Sequence, residues 1–257
     1  MKGTIIKGSA LVLGLALSGF VFAAEGGNGS NYLWQAPEGK FEVTPALGIA
    51  KGTYKQRATS YNYEQSKMPI TVSGEYGICP TMAAGLTLGT DSQKLHDTTP
   101  ASVDTKQTGM LDPVLFFKGR YDLGAGWLRY GANLTLGFQK HVNKSNGDSN
   151  LASGGMTLTP WAGWEMAAGP GTFGARLMLD LYKGEASVSD ESTTPATDSK
   201  TTGGAAFGLT AFYEMPMGMW DIGGALTYQS DSSTKSKVAG VSTSNDDGAT
   251  NIMLEVY

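Results

Sequence analysis

GMLDPVLFFKGRYDLGAGWLRYGANLTLGF, residues Gly109 to Phe138, decides how the chain is read. In its first half, apolar residues stand at alternate positions: Leu111, Pro113, Leu115, Phe117 and Tyr121. Asp112, Lys118 and Arg120 lie between them. A Gly-rich break from Asp122 to Gly126 follows. In the second half Leu128, Tyr130, Ala132, Leu134, Leu136 and Phe138 share one phase, and Arg129, Gly131, Asn133, Thr135 and Gly137 share the other. Successive side chains of a strand point to opposite faces, so this alternation predicts a hairpin of two half-apolar strands. Each run is close to the roughly 9–11 residues that a tilted strand needs to cross a bilayer.

The pattern recurs on both sides of the hairpin. It predicts strands from Phe41 to Lys51, Met68 to Ile78, Met82 to Thr90, Gly155 to Met166, Phe173 to Tyr182, Ala205 to Met215, Trp220 to Gln229 and Thr250 to Tyr257. With the hairpin these make ten strands, joined alternately by four tight turns and five long polar stretches. Chain order gathers the turns at one end and the long stretches at the other. An even count with this asymmetry predicts an all-β fold, an up-and-down antiparallel transmembrane β-barrel over residues 40–257.

The segment before it has a different character. Lys2 and Lys7 precede an apolar run from Ala10 to Phe22, and Val21-Phe22-Ala23 offers small residues for cleavage. Residues 1–23 therefore read as a secretory signal peptide. Residues 24–39 are Gly- and Asn-rich without a period and read as a periplasmic lead-in segment, with Trp34 loosely packed. Removing Lys2 and Lys7 from the 19 basic residues leaves 17 against 23 acidic ones, a net of −6. That balance argues against nucleic acid as a partner. Past residue 24 no apolar run approaches the roughly 18 residues of a helical span. The single cysteine, Cys79, forms neither an internal disulfide nor a cysteine zinc cluster.

Alternation alone does not say which face meets lipid, since a soluble barrel of the lipocalin type is apolar inside. Two features favour an apolar exterior. The other face is mostly Gly, Ala and Thr, too poor in charge for a soluble surface. The aromatics Phe41, Tyr76, Tyr121, Trp164, Phe173, Tyr213 and Trp220 lie in the apolar phase near the turn end, as in the aromatic girdle of a membrane barrel. Against this, Pro45, Pro113 and Pro160 fall inside predicted strands without a ladder donor, and the terminal Tyr257 is out of phase with Ile252, Leu254 and Val256.

On these features the chain resembles the bacterial outer-membrane β-barrel superfamily over residues 40–257. The run Gly109, Asp112-Pro113, Lys118, Tyr121 is similar to strand motifs of phenol-degradation (MetA-type) outer-membrane channels, a likeness confined to that run. The resemblance implies a place in the bacterial cell outer membrane. Its partners would be outer-membrane lipids, the barrel-assembly machinery and small solutes.

The strand charges follow one rule. Glu42, Glu75, Lys118, Arg120, Arg129, Glu165, Arg176, Glu214, Asp221 and Glu255 all fall in the inward phase and in the turn-side half. Small residues, Gly48, Ala50, Thr87, Gly89, Thr135, Gly137 and Gly208, line the other half. Acids come from one part of the wall and Lys118, Arg120 and Arg129 from another. Arg120 should face Arg129, with Glu165 beside Arg129 and Arg176 beside Glu214. The layer reads as a constriction for passive passage of small solutes. The alternative is a salt-bridged filling of a non-conducting structural or surface-interaction barrel that acts through its loops. His96 next to Asp97, and His141, read as solvated loop residues, so no enzyme activity, metal or cofactor is assigned. Asp246-Asp247 has no calcium-loop spacing.

Overall fold

The structure is a computed structural model. It describes residues 10–13, 33, 35–47, 49–55, 62–97, 104–152, 154–183, 186–191, 197–203, 205–217, 220–231, 234–238, 241–245 and 249–256. Trp34, the Ala23 cleavage region, Asp246, Asp247 and Tyr257 lie outside these residues, as do the side chains of Trp220, Asp221 and Glu255. The described chain is all-β, without an α-helix.

Ten long strands follow one another as an antiparallel meander. They are β1 (Phe41–Leu47), β2 (Ile70–Cys79), β3 (Met82–Asp97), β4 (Val114–Asp122), β5 (Trp127–Thr135), β6 (Thr157–Ala168), β7 (Gly171–Asp180), β8 (Ala206–Met217), β9 (Trp220–Asp231) and β10 (Ala249–Val256). Each pairs with the next. The central hairpin forms with Val114 opposite Thr135 and Asp122 opposite Trp127. Its turn is held by the Leu123 N–H donating to Gly126 O at 2.9 Å and the Gly124 N–H donating to Asp122 Oδ1 at 2.7 Å. Gly124 has φ +78°, the left-handed conformation that glycine adopts without strain.

Three expectations need correction. First, among the described residues the sheet holds 21 strand segments, not ten. The first predicted strand divides into β1 and Ile49–Lys55, which runs on past Lys51, and the stretches read as polar loops contain further strands: Asn62–Lys67, Asp104–Met110, Ala186–Asp190, Thr197–Gly203, Thr234–Val238 and Val241–Asn245. They continue the wall beyond the loop ends of the long strands. Sequences such as Thr-Asp-Ser-Lys-Thr-Thr-Gly lack an apolar face and so give no period-two signal. Neighbouring strands on both sides nonetheless satisfy their backbone groups.

Second, β4 begins at Val114 rather than near Leu111. Pro113 has no N–H to give, and the chain breaks from the preceding strand at Met110, just after Gly109 at φ +136°. Third, the first and last strands do not pair directly. Ala10–Leu13, from the predicted signal peptide, runs between them, parallel to β10 and antiparallel to Ile49–Lys51. A ten-stranded barrel closed by its own first and last strands is therefore not the arrangement seen.

The polarity of the two faces is inverted relative to a soluble protein. Phe41 is 67% exposed and Tyr121 63%. Val72, Leu88, Leu115, Leu209, Ile222 and Leu226 are also exposed. Glu165, at 1%, and Arg129, at 3%, are buried on the opposite face. Leu33 packs in one cluster with Trp161 of β6, Phe212 of β8 and Ala225 of β9, while Ala36, three residues on, is bonded to Glu75 of β2.

Candidate functional site

The site is the charged layer on the face of the sheet where Glu75, Arg129 and Glu165 are buried. The alternation that sends Leu128 and Tyr130 outward sends Arg129 inward, and the same rule turns Glu165 inward between Trp164 and Met166. Arg129 Nε donates to Glu165 Oε1 at 2.6 Å and its Nη2 approaches the same oxygen at 2.5 Å. Both side chains are almost fully removed from solvent. Desolvating two charges costs several kcal/mol each, so such a pair persists only with close, well-directed contacts. On the adjacent strand β4, Lys118 Nζ donates to Glu75 Oε2 at 2.7 Å and lies 4.9 Å from the centre of the Phe116 ring.

Each ion pair joins an acid and a base from neighbouring parts of the wall, which offsets the separation of acids and bases read from the sequence. Arg120 stands opposite Arg129 in the register, as expected. Its Nε donates to Pro80 O at 2.9 Å, and its guanidinium lies 5.2 Å from the centre of the Trp127 ring. Glu42 stands opposite Glu75, and of these two like charges Glu75 is the one paired with the Lys118 ammonium. Glu214 is buried, but it stands opposite Thr172, whereas Arg176 stands opposite Thr210. The two are thus four residues apart along the ladder and not cross-strand neighbours. Above this layer hydroxyls meet in pairs: Thr210 with Thr227 at 2.9 Å and Ser73 with Thr87 at 2.8 Å.

The predicted aromatics behave as a group where their side chains are described. Phe41, Tyr76, Tyr121, Phe173 and Tyr213 are exposed on the outer face, and Trp164 is half-buried. The two histidines read as loop residues lie on strands, His96 near the end of β3 and His141 on the short strand His141–Asn143: His96 Nδ1 meets Asp104 Oδ1 at 2.5 Å, and His141 Nδ1 meets Ala152 O at 3.0 Å. Among the described residues no three His, Cys, Asp or Glu side chains are grouped to hold a metal ion.

One part of the site was not read from the sequence. The segment before β1 lies against this face, where Leu33, Gln35 and Ala36 are buried. The Ala36 N–H donates to Glu75 Oε1 at 2.7 Å, so Glu75 holds this segment and Lys118 at once. The Gly39 N–H donates to Gly77 O at 2.8 Å, and the Gly77 N–H donates to Lys40 O at 2.9 Å. A Cβ on Gly77 would lie 1.9 Å from Pro37 O, so only glycine lets the segment cross here. The signal was present in Trp161 and Phe212, two large apolar side chains on an otherwise polar face. They pack in one cluster with Leu33.

No protein-family model matches the chain, and no curated protein matches it.

Proposed function

We propose that this protein is a bacterial outer-membrane β-barrel for passive passage of small solutes, closed at rest at its turn end. The observation that carries the reading is the inverted polarity: charges enclosed, apolar side chains exposed along strand after strand. Soluble monomers rarely expose contiguous apolar patches beyond a few hundred Å². Lipid is the solvent that suits such a face, and a barrel is one of the two ways a chain spans it. The outer-membrane lipids and the barrel-assembly machinery are the corresponding partners.

Closure of the barrel follows from removal of the predicted signal peptide. Val12 pairs with Ala50 on one side and with Glu255 on the other. With Ala10–Leu13 gone, Ile49–Lys51 and β10 are left antiparallel with a one-strand gap between them. Ala50 and Glu255 fall in the same phase, and Ile49 and Val256 in the other, so the two edges match face to face.

The turn-side end is filled by the two ion pairs and by Leu33, Gln35 and Ala36. Passage then requires this segment to withdraw. The second reading is a permanently non-conducting barrel. It is favoured by the nearly complete burial of Arg129 and Glu165, which leaves no water-filled path between them. Refolding into lipid vesicles tests the first reading. Heat-modifiable gel mobility reports folding, and vesicle swelling in small sugars reports passage. Swelling is the expected result. A protein folded in vesicles that never swell leaves the second reading.

A further inference from the structure

We propose that Gln35 is the release element of a reversible gate: its buried side-chain oxygen opposes the seating of the segment before β1 on the charged face. The proposal rests on the solute-passage reading and names the residue that sets how readily the passage opens.

Two contacts seat the segment. Leu33 packs with Trp161, Phe212 and Ala225, and the Ala36 N–H donates to Glu75 Oε1 at 2.7 Å. Gln35, between these two residues, works in the opposite direction. It is 5% exposed, and its Oε1 is buried with no hydrogen-bond partner. A buried acceptor without a donor destabilises the arrangement that buries it, and water satisfies it as soon as the segment lifts.

The wall under the segment carries the complementary defect. A Cβ on Gly163 would lie 3.3 Å from Leu33 Cδ1, so Leu33 is seated over that glycine. Gly163 stands opposite Arg129 on one side and opposite Arg176 on the other. Glu165 takes Nε and Nη2 of Arg129, but its Nη1 is buried without an acceptor. The seated arrangement thus holds an unpaired acceptor on the segment and an unpaired donor on the wall, and the two do not meet. Buried polar groups in a permanently packed part of a protein are nearly all paired. A segment that breaks this rule beside a wall that breaks it too belongs to the parts of a structure that open at low free energy. Leu33 and the Glu75 bond close the passage, and Gln35 keeps the closure reversible.

The test is hydrogen–deuterium exchange of the Ala36 amide in protein refolded into lipid vesicles, with folding shown by heat-modifiable mobility. That amide is protected while it donates to Glu75, so its exchange rate reports how often the segment lifts. Gln35→Met keeps the side-chain length and removes the unpaired oxygen. It should slow the exchange about tenfold, the factor expected when one unsatisfied buried acceptor is removed. Gln35→Leu should act in the same direction, and it keeps the test available if the Met variant does not fold. Leu33→Ala removes the apolar anchor and should speed the exchange about tenfold or more. In planar bilayers Gln35→Met should lower the open probability about tenfold as well. Folded Gln35 variants that exchange at the parent rate or faster overturn the proposal. Slower exchange in these variants with silent bilayers would support the gate and count against passage alone. Conductance in the parent with exchange unchanged by Gln35→Met would count against this element alone.

Discussion

The Ala36 backbone N–H donates to Glu75 Oε1 at 2.7 Å, in a buried contact that ties the segment before the first long strand to the wall. The other oxygen of the same carboxylate takes the Lys118 ammonium. Removing the carboxylate leaves a buried amide without its acceptor and an ammonium without its counter-charge, each costing about 1–3 kcal/mol or more. Glu75→Ala should therefore loosen the segment. The readout is maleimide labelling of Gln35→Cys in a Cys79→Ser background. Labelling should be slow with Glu75 present and at least about tenfold faster in Glu75→Ala, the ratio expected from a loss near 1.4 kcal/mol. Equal rates would mean that this bond does not hold the segment.

The Arg129–Glu165 pair makes a prediction about stability. Glu165→Gln leaves a buried guanidinium without a counter-charge, and breaking one side of a buried pair costs about 3–5 kcal/mol. Replacing both residues, as Arg129→Met with Glu165→Leu, removes the stranded charge and should recover most of the loss. Urea titration of the refolded variants checks the order: parent and double variant close together, single variant well below. A single variant as stable as the parent would show that the pair is not desolvated as its exposure indicates.

The outer face makes a prediction that separates lipid from water. Leu226 is 53% exposed near the middle of β9. On a water-facing surface Leu226→Arg should change stability by no more than about 0.5 kcal/mol. Facing the bilayer midplane it should cost about 2–4 kcal/mol. Reversible unfolding from vesicles measures the difference, and a neutral result would place this face in water.

Much of this was legible in the sequence, and the misses have physical causes. Every long strand was visible because one face is apolar and the period is two. The inward phase of Glu75, Arg129 and Glu165 came from the same alternation. The rim strands were not visible, because Thr234–Val238 or Thr197–Gly203 are polar on both faces and are held by ladder bonds that leave no mark on residue type. The position of Leu33 to Lys40 was also not visible. Those residues have no period, and their place depends on Gly77, Trp161 and Phe212, which lie far away in the chain. The Arg129–Glu165 pair was legible as adjacency, but the sharing of Glu75 between Lys118 and Ala36 was not.

The seam makes a prediction about register. In protein lacking residues 1–23, cysteines at Ala50 and Glu255, with Cys79→Ser, should be joined by a short bifunctional maleimide. Direct cross-strand neighbours lie about 4.5–5.5 Å apart between Cβ atoms. Moving the second cysteine to Leu254 puts it on the opposite face and should abolish the crosslink. A crosslink with 254 but not with 255 would show a slipped or open seam.

The measurement that bears most directly on a solute passage closed by its own N-terminal segment is single-channel conductance in a planar bilayer. It compares the refolded parent with Glu75→Ala and with Gly77→Ala, whose added Cβ collides with Pro37 O. The parent should open rarely, and both variants should show frequent discrete steps. Silence from all three, each shown to be folded by heat-modifiable mobility, would contradict the account and make the charged layer a permanent seal.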